Sequence, residues 1–251
     1  MGIGRPVLPA GFTLVALAEI DSTNEEAKRR AEQGAPDGTV VWARRQSSGK
    51  GRRGRSFVSP PGNCYSSLLL RPHAAPAIAA QVSFVTAVAV AEAVAALLPV
   101  GPRVTCKWPN DVLIDGRKCS GILLESRVGG AAVEWIVIGT GINVQSHPEG
   151  LAFPATSLWA AGGAATVETV LENYLERLAF WLGRWQGGGF QPVRRAWLLR
   201  ADGLGRPVRV RLADATLDGV FESLDEQGAL VLLGDDGNRR RIMAGEVFRP
   251  A

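Results

Sequence analysis

Histidine is nearly absent: His73 and His147 are the only two in 251 residues. That leaves little material for a metal centre or a catalytic triad built on imidazole. Cysteine is almost as scarce. Cys64, Cys106 and Cys119 make an odd count with no Cys-x-x-Cys spacing. This argues against a disulfide framework or a zinc site, and reads as a reducing, cytoplasmic compartment. A secretory leader is not visible either, since Met1 to Gly11 holds an Arg, two Pro and three Gly but no apolar core. Internal repeats and low-complexity segments are lacking. One stretch, Ala74 to Val100, is long and nearly uncharged. It is Ala-rich, framed by Pro76 and Pro99, and interrupted by Gln81 and Glu92. It is expected to be a buried helix rather than a membrane span.

What is present is an ordinary globular balance, 46% hydrophobic and 21% charged, enough for a real core. The length suits one large domain, or one medium and one small. The formal charge of +4 suits an anionic ligand such as a nucleotide, and equally nucleic acid, so charge alone does not choose.

The pattern predicts a strand over Phe12–Ile20, then a helix from about Glu25 to Gln33 with N-cap candidates in Asp21-Ser22-Thr23-Asn24. A short strand follows at Thr39–Ala43. Gln46 to Gly62 is polar, rich in Gly, Ser and Arg, and reads as a long functional or disordered loop. Further strands are expected at Cys64–Leu70, Val104–Trp108, Val112–Ile114, Cys119–Ser126 and Val133–Ile138. Asp115-Gly116 forms a hairpin turn. Helices are expected at about Val167–Trp185 and Gln191–Leu199. Strands followed by helices, without strict alternation, give an α+β fold. From Leu204 short alternating strands with tight turns predict a small β-barrel. The expected domains are 1–202 and 203–251.

Four motifs carry chemistry. Gly49-Lys50-Gly51-Arg52-Arg53-Gly54-Arg55 sets four cations among three glycines. Such a loop turns backbone N–H groups and Arg forks toward a polyphosphate, although a solvated basic loop or a nucleic-acid contact has the same composition. Lys107-Trp108-Pro109-Asn110-Asp111 breaks a strand and turns polar groups outward, for a Mg²⁺–phosphate or merely as a β-turn. Lys118 opens an apolar strand with Gly121 close behind. It suits a carboxylate–phosphate bridge, or is an exposed lysine after a turn. Gly139-Thr140-Gly141-Ile142-Asn143 leaves room for a flat ligand and is weak evidence alone.

In this order the motifs resemble those of the biotin protein ligases. Ser22-Thr23-Asn24, Gln46 with the basic loop, Lys107 to Asp111, Lys118 with Gly121-Ile122-Leu123, and Gly139 to Asn143 all stand in sequence. Arg206-Pro207-Val208, Gln227-Gly228-Ala229-Leu230 and Gly245-Glu246-Val247 are similar to the family's SH3-like tail. The likeness runs from about Phe12 to Arg249. Lys50 departs from it, standing where the family usually has Arg, so its planar fork is lost. The N-terminal DNA-binding helices of some members are not expected.

The resemblance implies a class II synthetase-like mixed sheet packed with helices, followed by an SH3-like barrel. It implies ATP-dependent conversion of biotin to biotinyl-AMP, then transfer to a lysine of a biotin carboxyl carrier protein. Ser22, Thr23, Gln46, Gly49, Arg52, Lys118, Gly121, Gly139 and Gly141 would bind biotin. Lys50, Arg53, Arg55, Lys107, Asn110 and Asn143 would bind ATP. Lys118, Arg52 and Asp111 would be catalytic. Mg²⁺ would come with ATP and not be fixed by the protein alone. No nucleic acid and no membrane is expected, and an exposed edge of the central sheet would support a homodimer. A lipoate or octanoate ligase is the nearest rival, against which Gln46, the basic loop and the tail weigh. A nucleic-acid-binding module is the rival of another class, against which no aromatics interleave the basic loop.

Overall fold

A computed structural model describes residues 6–150 and 153–248. The first five residues of the stretch read for a leader, and Arg249 at the end of the resemblance, lie outside the described residues. Seven strands form the larger sheet: β1 (Thr13–Ile20), β2 (Thr39–Gln46), β3 (Cys64–Leu70), β4 (Val104–Lys107), β5 (Asp111–Ile114), β6 (Arg117–Gly129) and β7 (Ala132–Ile142). Their spatial order is β1-β2-β3-β7-β6-β5-β4. Every pair is antiparallel except β1–β2. A parallel pair needs a crossover, supplied by helix α1 (Thr23–Glu32).

Alternation along the strands sorts the two faces. Val41, Leu69 and Val137 turn to the front, where they meet Ala27 and Ala31 of α1. Val40, Trp42, Leu68 and Ile138 turn to the back, into the main core. That core is roofed by α2 (Pro76–Ala80), α3 (Val82–Ala96), α4 (Val167–Gly188) and α5 (Phe190–Leu198). α3 is apolar on all sides, and eleven of its fifteen residues are buried, as a helix inside a core requires. The expected long apolar helix is therefore split in two and packed within the molecule.

Pro207–Arg211, Thr216–Leu224, Leu230–Leu233, Arg239–Ile242 and Glu246–Phe248 (β8 to β12) form a second, antiparallel sheet of SH3-like type, in the order β11-β10-β9-β8-β12. It shares the main core, because Trp197 of α5 packs between Phe84 and Phe221 at ring separations of 5.7 and 6.3 Å.

Several boundaries differ from expectation. α1 begins at Thr23, not Glu25, and Ser22 makes no side-chain cap. β2 runs on to Gln46, and β7 runs through Gly139 and Gly141 to Ile142. The long loop is ordered: bridges Gln46–Ser59 and Lys50–Ser56 fold it into an arm whose tip is one 3-10 turn, Arg52–Gly54. Asp115 and Gly116 take left-handed φ of 48° and 75°, as a two-residue turn of the expected kind demands.

Candidate active site

α1 covers only one end of the front face, and the remainder is the floor of a cavity of about 500 Å³. At the α1 end, Thr23 donates to Gln46 Oε1 through both its backbone N–H (2.8 Å) and its hydroxyl (3.1 Å). Gln46 Nε2 in turn donates to Ser59 Oγ at 2.8 Å, on the returning limb of the arm. Ser67 Oγ lies 2.6 Å from Asn24 Oδ1 and 2.8 Å from Thr23 Oγ1. Its single proton serves one of them at a time. Asn24 Nδ2 donates to Glu125 Oε2 at 2.8 Å. Asn24 was expected as a helix cap. Starting the helix at Thr23 instead turns its amide onto the sheet.

The glycines have local reasons. A Cβ on Gly139 would overlap Asn24 Oδ1, and one on Gly141 would stand 2.7 Å from the Phe57 ring. On Gly49 it would overlap Phe57 O and lie 2.6 Å from Ser59 Oγ. Gly49 therefore closes the arm on itself.

The middle of the floor depends on an irregularity. Ser120 pairs with Val112 but Lys118 pairs with Leu113, so Cys119 is an extra residue in β6. In a regular strand residues 118 and 121 face opposite ways. The bulge returns Lys118 to the face of Gly121 and Asp111. Lys118 Nζ then sits 2.6 Å from Asp111 Oδ1, and a Cβ on Gly121 would be 3.2 Å from that nitrogen. Asn110 accepts from Arg52 at 2.9 Å and donates to Ile122 O at 2.5 Å, clamping the arm to β6. Burial lowers the Arg52 guanidinium below its ordinary pKa, with nearby Asp111 working the other way.

At the far end the second sheet supplies a wall. Glu246 accepts from Arg55 at 2.6 Å and lies 3.9 Å from Arg53. Arg53 takes φ 56°, a left-handed conformation unusual for a non-glycine, at the bend of the arm. The Lys107 ammonium lies 3.6 Å from the Phe153 ring centre and 5.3 Å from that of Phe248. Burial lowers its pKa too. Six cations (Lys50, Arg52, Arg55, Lys107, Lys118, Arg211) line the cavity against two carboxylates, Asp111 and Glu246. Such an excess suits a polyanion.

All the residues selected from sequence line this cavity except Gly49 and Arg53. Lys50 pairs with Glu25 at 2.6 Å. Asn143 lines the cavity and donates to Thr156 O at 2.9 Å, so its amide braces the backbone behind Lys118. Sequence reasoning missed Ser67, Phe57, Glu246 and Phe248. The first two carry no distinctive motif, and the last two come from the second sheet. Among the described residues no group of three or more His, Cys, Asp or Glu could hold a metal.

Comparison with known proteins falls on the same segments. The Biotin/lipoate A/B protein ligase family matches residues 16–143, and the Biotin protein ligase C terminal domain matches residues 203–249. A biotin–[acetyl-CoA-carboxylase] ligase of Paracoccus denitrificans is 42% identical over 241 residues, covering 92% of this chain and 98% of the relative. The bifunctional ligase/repressor BirA of Escherichia coli is 33% identical, over 94% of this chain and 74% of its own length. A biotin protein ligase from Aquifex aeolicus, solved in complex with biotin and ATP, shares the fold. The TM-score is 0.79 at 30% identity, over 94% of this chain and 97% of that one.

Proposed function

This chain belongs to the biotin protein ligase family, and from that premise we propose how its cavity makes biotinyl-AMP and passes biotin to a carrier lysine. The carrier is the biotin carboxyl carrier protein or domain of an enzyme such as acetyl-CoA carboxylase. The observation that carries the reading is the gathering of Arg52, Asn110, Asp111 and Lys118 beside the Thr23–Gln46 pair in one cavity.

Biotin lies along the front face, its ureido ring against Ser22, Thr23 and Gln46 and its tail over Gly121, Gly139 and Gly141. A buried urea group left without a partner would cost ~1–3 kcal/mol, so these hydrogen bonds discriminate. The carboxylate oxygen attacks the α-phosphorus of ATP, the bond to the bridging oxygen breaks, and pyrophosphate leaves. Two anions must meet for this. Lys118 leaves Asp111 to bridge the carboxylate and the α-phosphate, while Arg52, Arg53, Arg55 and Lys107 receive the phosphates. The carrier amine then attacks the acyl carbon, the C–O bond to AMP breaks, and the ammonium proton is lost. Asp111, freed of Lys118, orients that amine. Without substrate, Asn110 Oδ1 is engaged by Arg52 and Asp111 by Lys118. A divalent ion would be carried by the nucleotide.

The three free cysteines, all buried, support a reducing cytoplasm. The outer edge of β1 supports a homodimer.

The test is transfer onto a biotin-acceptor domain, followed by intact mass, with ATP, Mg²⁺ and biotin, lipoate or octanoate. Labelling with biotin alone, dependent on ATP, is expected. Lys118→Ala or Arg52→Ala should lower biotin-dependent pyrophosphate release ~10²–10³-fold. Wild-type rates in both variants would overturn the assignment of roles, and labelling by lipoate alone would overturn the substrate.

A further inference from the structure

The glycine-rich arm is tied down at three places. Arg52 at its tip is held by Asn110, and Arg55 just after the tip by Glu246. Lys50, on the outgoing limb, is held by Glu25 of α1 at 2.6 Å. These three ties differ in what happens when substrate arrives. Arg52 and Arg55 line the cavity and are needed by phosphate, so their protein partners must let go. Glu25 does not line the cavity. Lys50 lines the cavity as Arg52 and Arg55 do, but of these ties the Glu25–Lys50 pair is the one whose protein acceptor stands outside it.

Glu25 is also built into something rigid. Its Oε1 takes Lys28 as well as Lys50, each at 2.6 Å. Lys28 reaches Glu125 Oε1 at 3.0 Å, and Glu125 Oε2 accepts from Asn24. Asn24 meets Ser67, which adjoins Thr23, and Thr23 holds Gln46. Gln46 ends the path at Ser59 on the returning limb. Both limbs of the arm are thus fastened to the first turn of α1, one through Glu25 and the other through Thr23. Burial works to raise the Glu25 carboxyl, but the ion pairs with Lys28 and Lys50 outweigh it and hold it below its ordinary value. A lysine suits this junction. Its compact ammonium can share one oxygen with Lys28, where a planar guanidinium would call for both.

We propose that Glu25 is a positioning residue that latches the arm shut over biotinyl-AMP through Lys50. The latch keeps the acyl-adenylate from water until the carrier lysine arrives. It rests on the functional reading above. If the latch opens, water attacks the acyl carbon, the C–O bond to AMP breaks, and free biotin and AMP are returned. Each leak consumes one ATP without a transfer.

The test compares pyrophosphate released with biotin transferred to an acceptor domain, in wild type, Glu25→Gln, Glu25→Asp, Lys50→Gln and the Glu25→Gln/Lys50→Gln double variant. Hen lysozyme is included as a bystander, to be labelled by escaped adenylate. Wild type should release close to one pyrophosphate per biotin transferred. Glu25→Gln should raise that ratio roughly two- to fivefold, the scale of one partly exposed ion pair, and label the bystander. Glu25→Asp keeps the charge and should recover part of the coupling. The double variant should leak no more than the worse single one, since both break the same contact. KM for biotin should not move, because Thr23 and Gln46 are untouched. An unchanged ratio in Glu25→Gln, additive leaks in the double variant, or a rise in KM for biotin matching the leak would overturn the latch. Wild type that releases no pyrophosphate in response to biotin would overturn the functional reading, and the latch with it.

Discussion

Asn24 and Gly139 occupy one space between them. The Asn24 amide fills the volume a side chain at 139 would need, and it bonds Ser67 on one side and Glu125 on the other. Gly139→Ala must push the amide aside or bend β7, a misfit of ~1–3 kcal/mol for one added carbon in packed surroundings. The displaced amide drags on Ser67 and Thr23, so biotin affinity should fall along with stability. Calorimetric titration of biotin and urea denaturation read the two effects. Adding Asn24→Ala to Gly139→Ala should restore most of the stability, because the space is then free, while biotin affinity stays low. If the double variant is no more stable than Gly139→Ala, the crowding is not the cause. Residues of this kind are only half legible in a sequence. Gly139 stands out as a glycine, but the partner that makes it necessary is 115 positions away by residue number and was expected to cap a helix. Ser67 and Phe57 gave no signal at all, since a serine in a strand and a phenylalanine in a loop have many ordinary uses.

At the scale of elements, alternation and turn chemistry revealed most strands, and the errors share one cause. β2 and β7 were read as ending where polar or glycine residues begin, because such residues are depleted in strands. Here the strands continue into the site because it is laid on the sheet itself. The bulge at Cys119 had no sequence signal either, although it decides which way Lys118 points. α1 offers a test of what sets its entry. Asp21 precedes it and accepts from the two terminal guanidinium nitrogens of Arg29, at 2.8 and 2.9 Å. The Arg29 hydrogen bond is the largest influence lowering the Asp21 carboxyl from 3.8 to about 2. A carboxyl depressed in the folded state adds stability that is complete above its unfolded pKa and is lost as the pH falls through the folded value. Both groups are partly exposed, so solvent limits the pair to ~0.2–1 kcal/mol. Asp21→Asn should therefore cost that much in urea denaturation at pH 5 to 7. The gap to wild type should narrow between pH 4 and pH 2. A gap that holds constant to the lowest pH at which wild type folds would assign the loss to something other than this charge.

On the scale of the whole molecule, the second sheet is part of the site and not an appendage. Trp108, inside the Lys107–Asp111 motif, is buried and donates from its indole to Gly228 O at 3.2 Å, across the junction of the two sheets. Gly228 is held close by its φ of 90° and by Phe84, which a Cβ there would approach within 2.5 Å. Two residues on from Trp108, Asn110 holds Arg52, and from the second sheet Glu246 holds Arg55. The tail thus acts on the Arg52–Arg55 end of the cavity from both sides, while the Thr23–Gln46 end is built from α1, β2 and the returning limb of the arm. Trp108→Phe keeps an aromatic ring but removes the indole N–H and strands the Gly228 carbonyl, a loss of ~1–3 kcal/mol for a buried acceptor. Its effect should therefore be unequal. KM for ATP in pyrophosphate release should rise roughly tenfold, the equivalent of ~1.4 kcal/mol, with KM for biotin within about twofold of wild type. A parallel rise in both constants would mean that the junction supports the whole fold evenly. A rise in the constant for ATP alone would mean that the tail tunes nucleotide binding through the Trp108 motif, leaving biotin recognition to the sheet beneath α1.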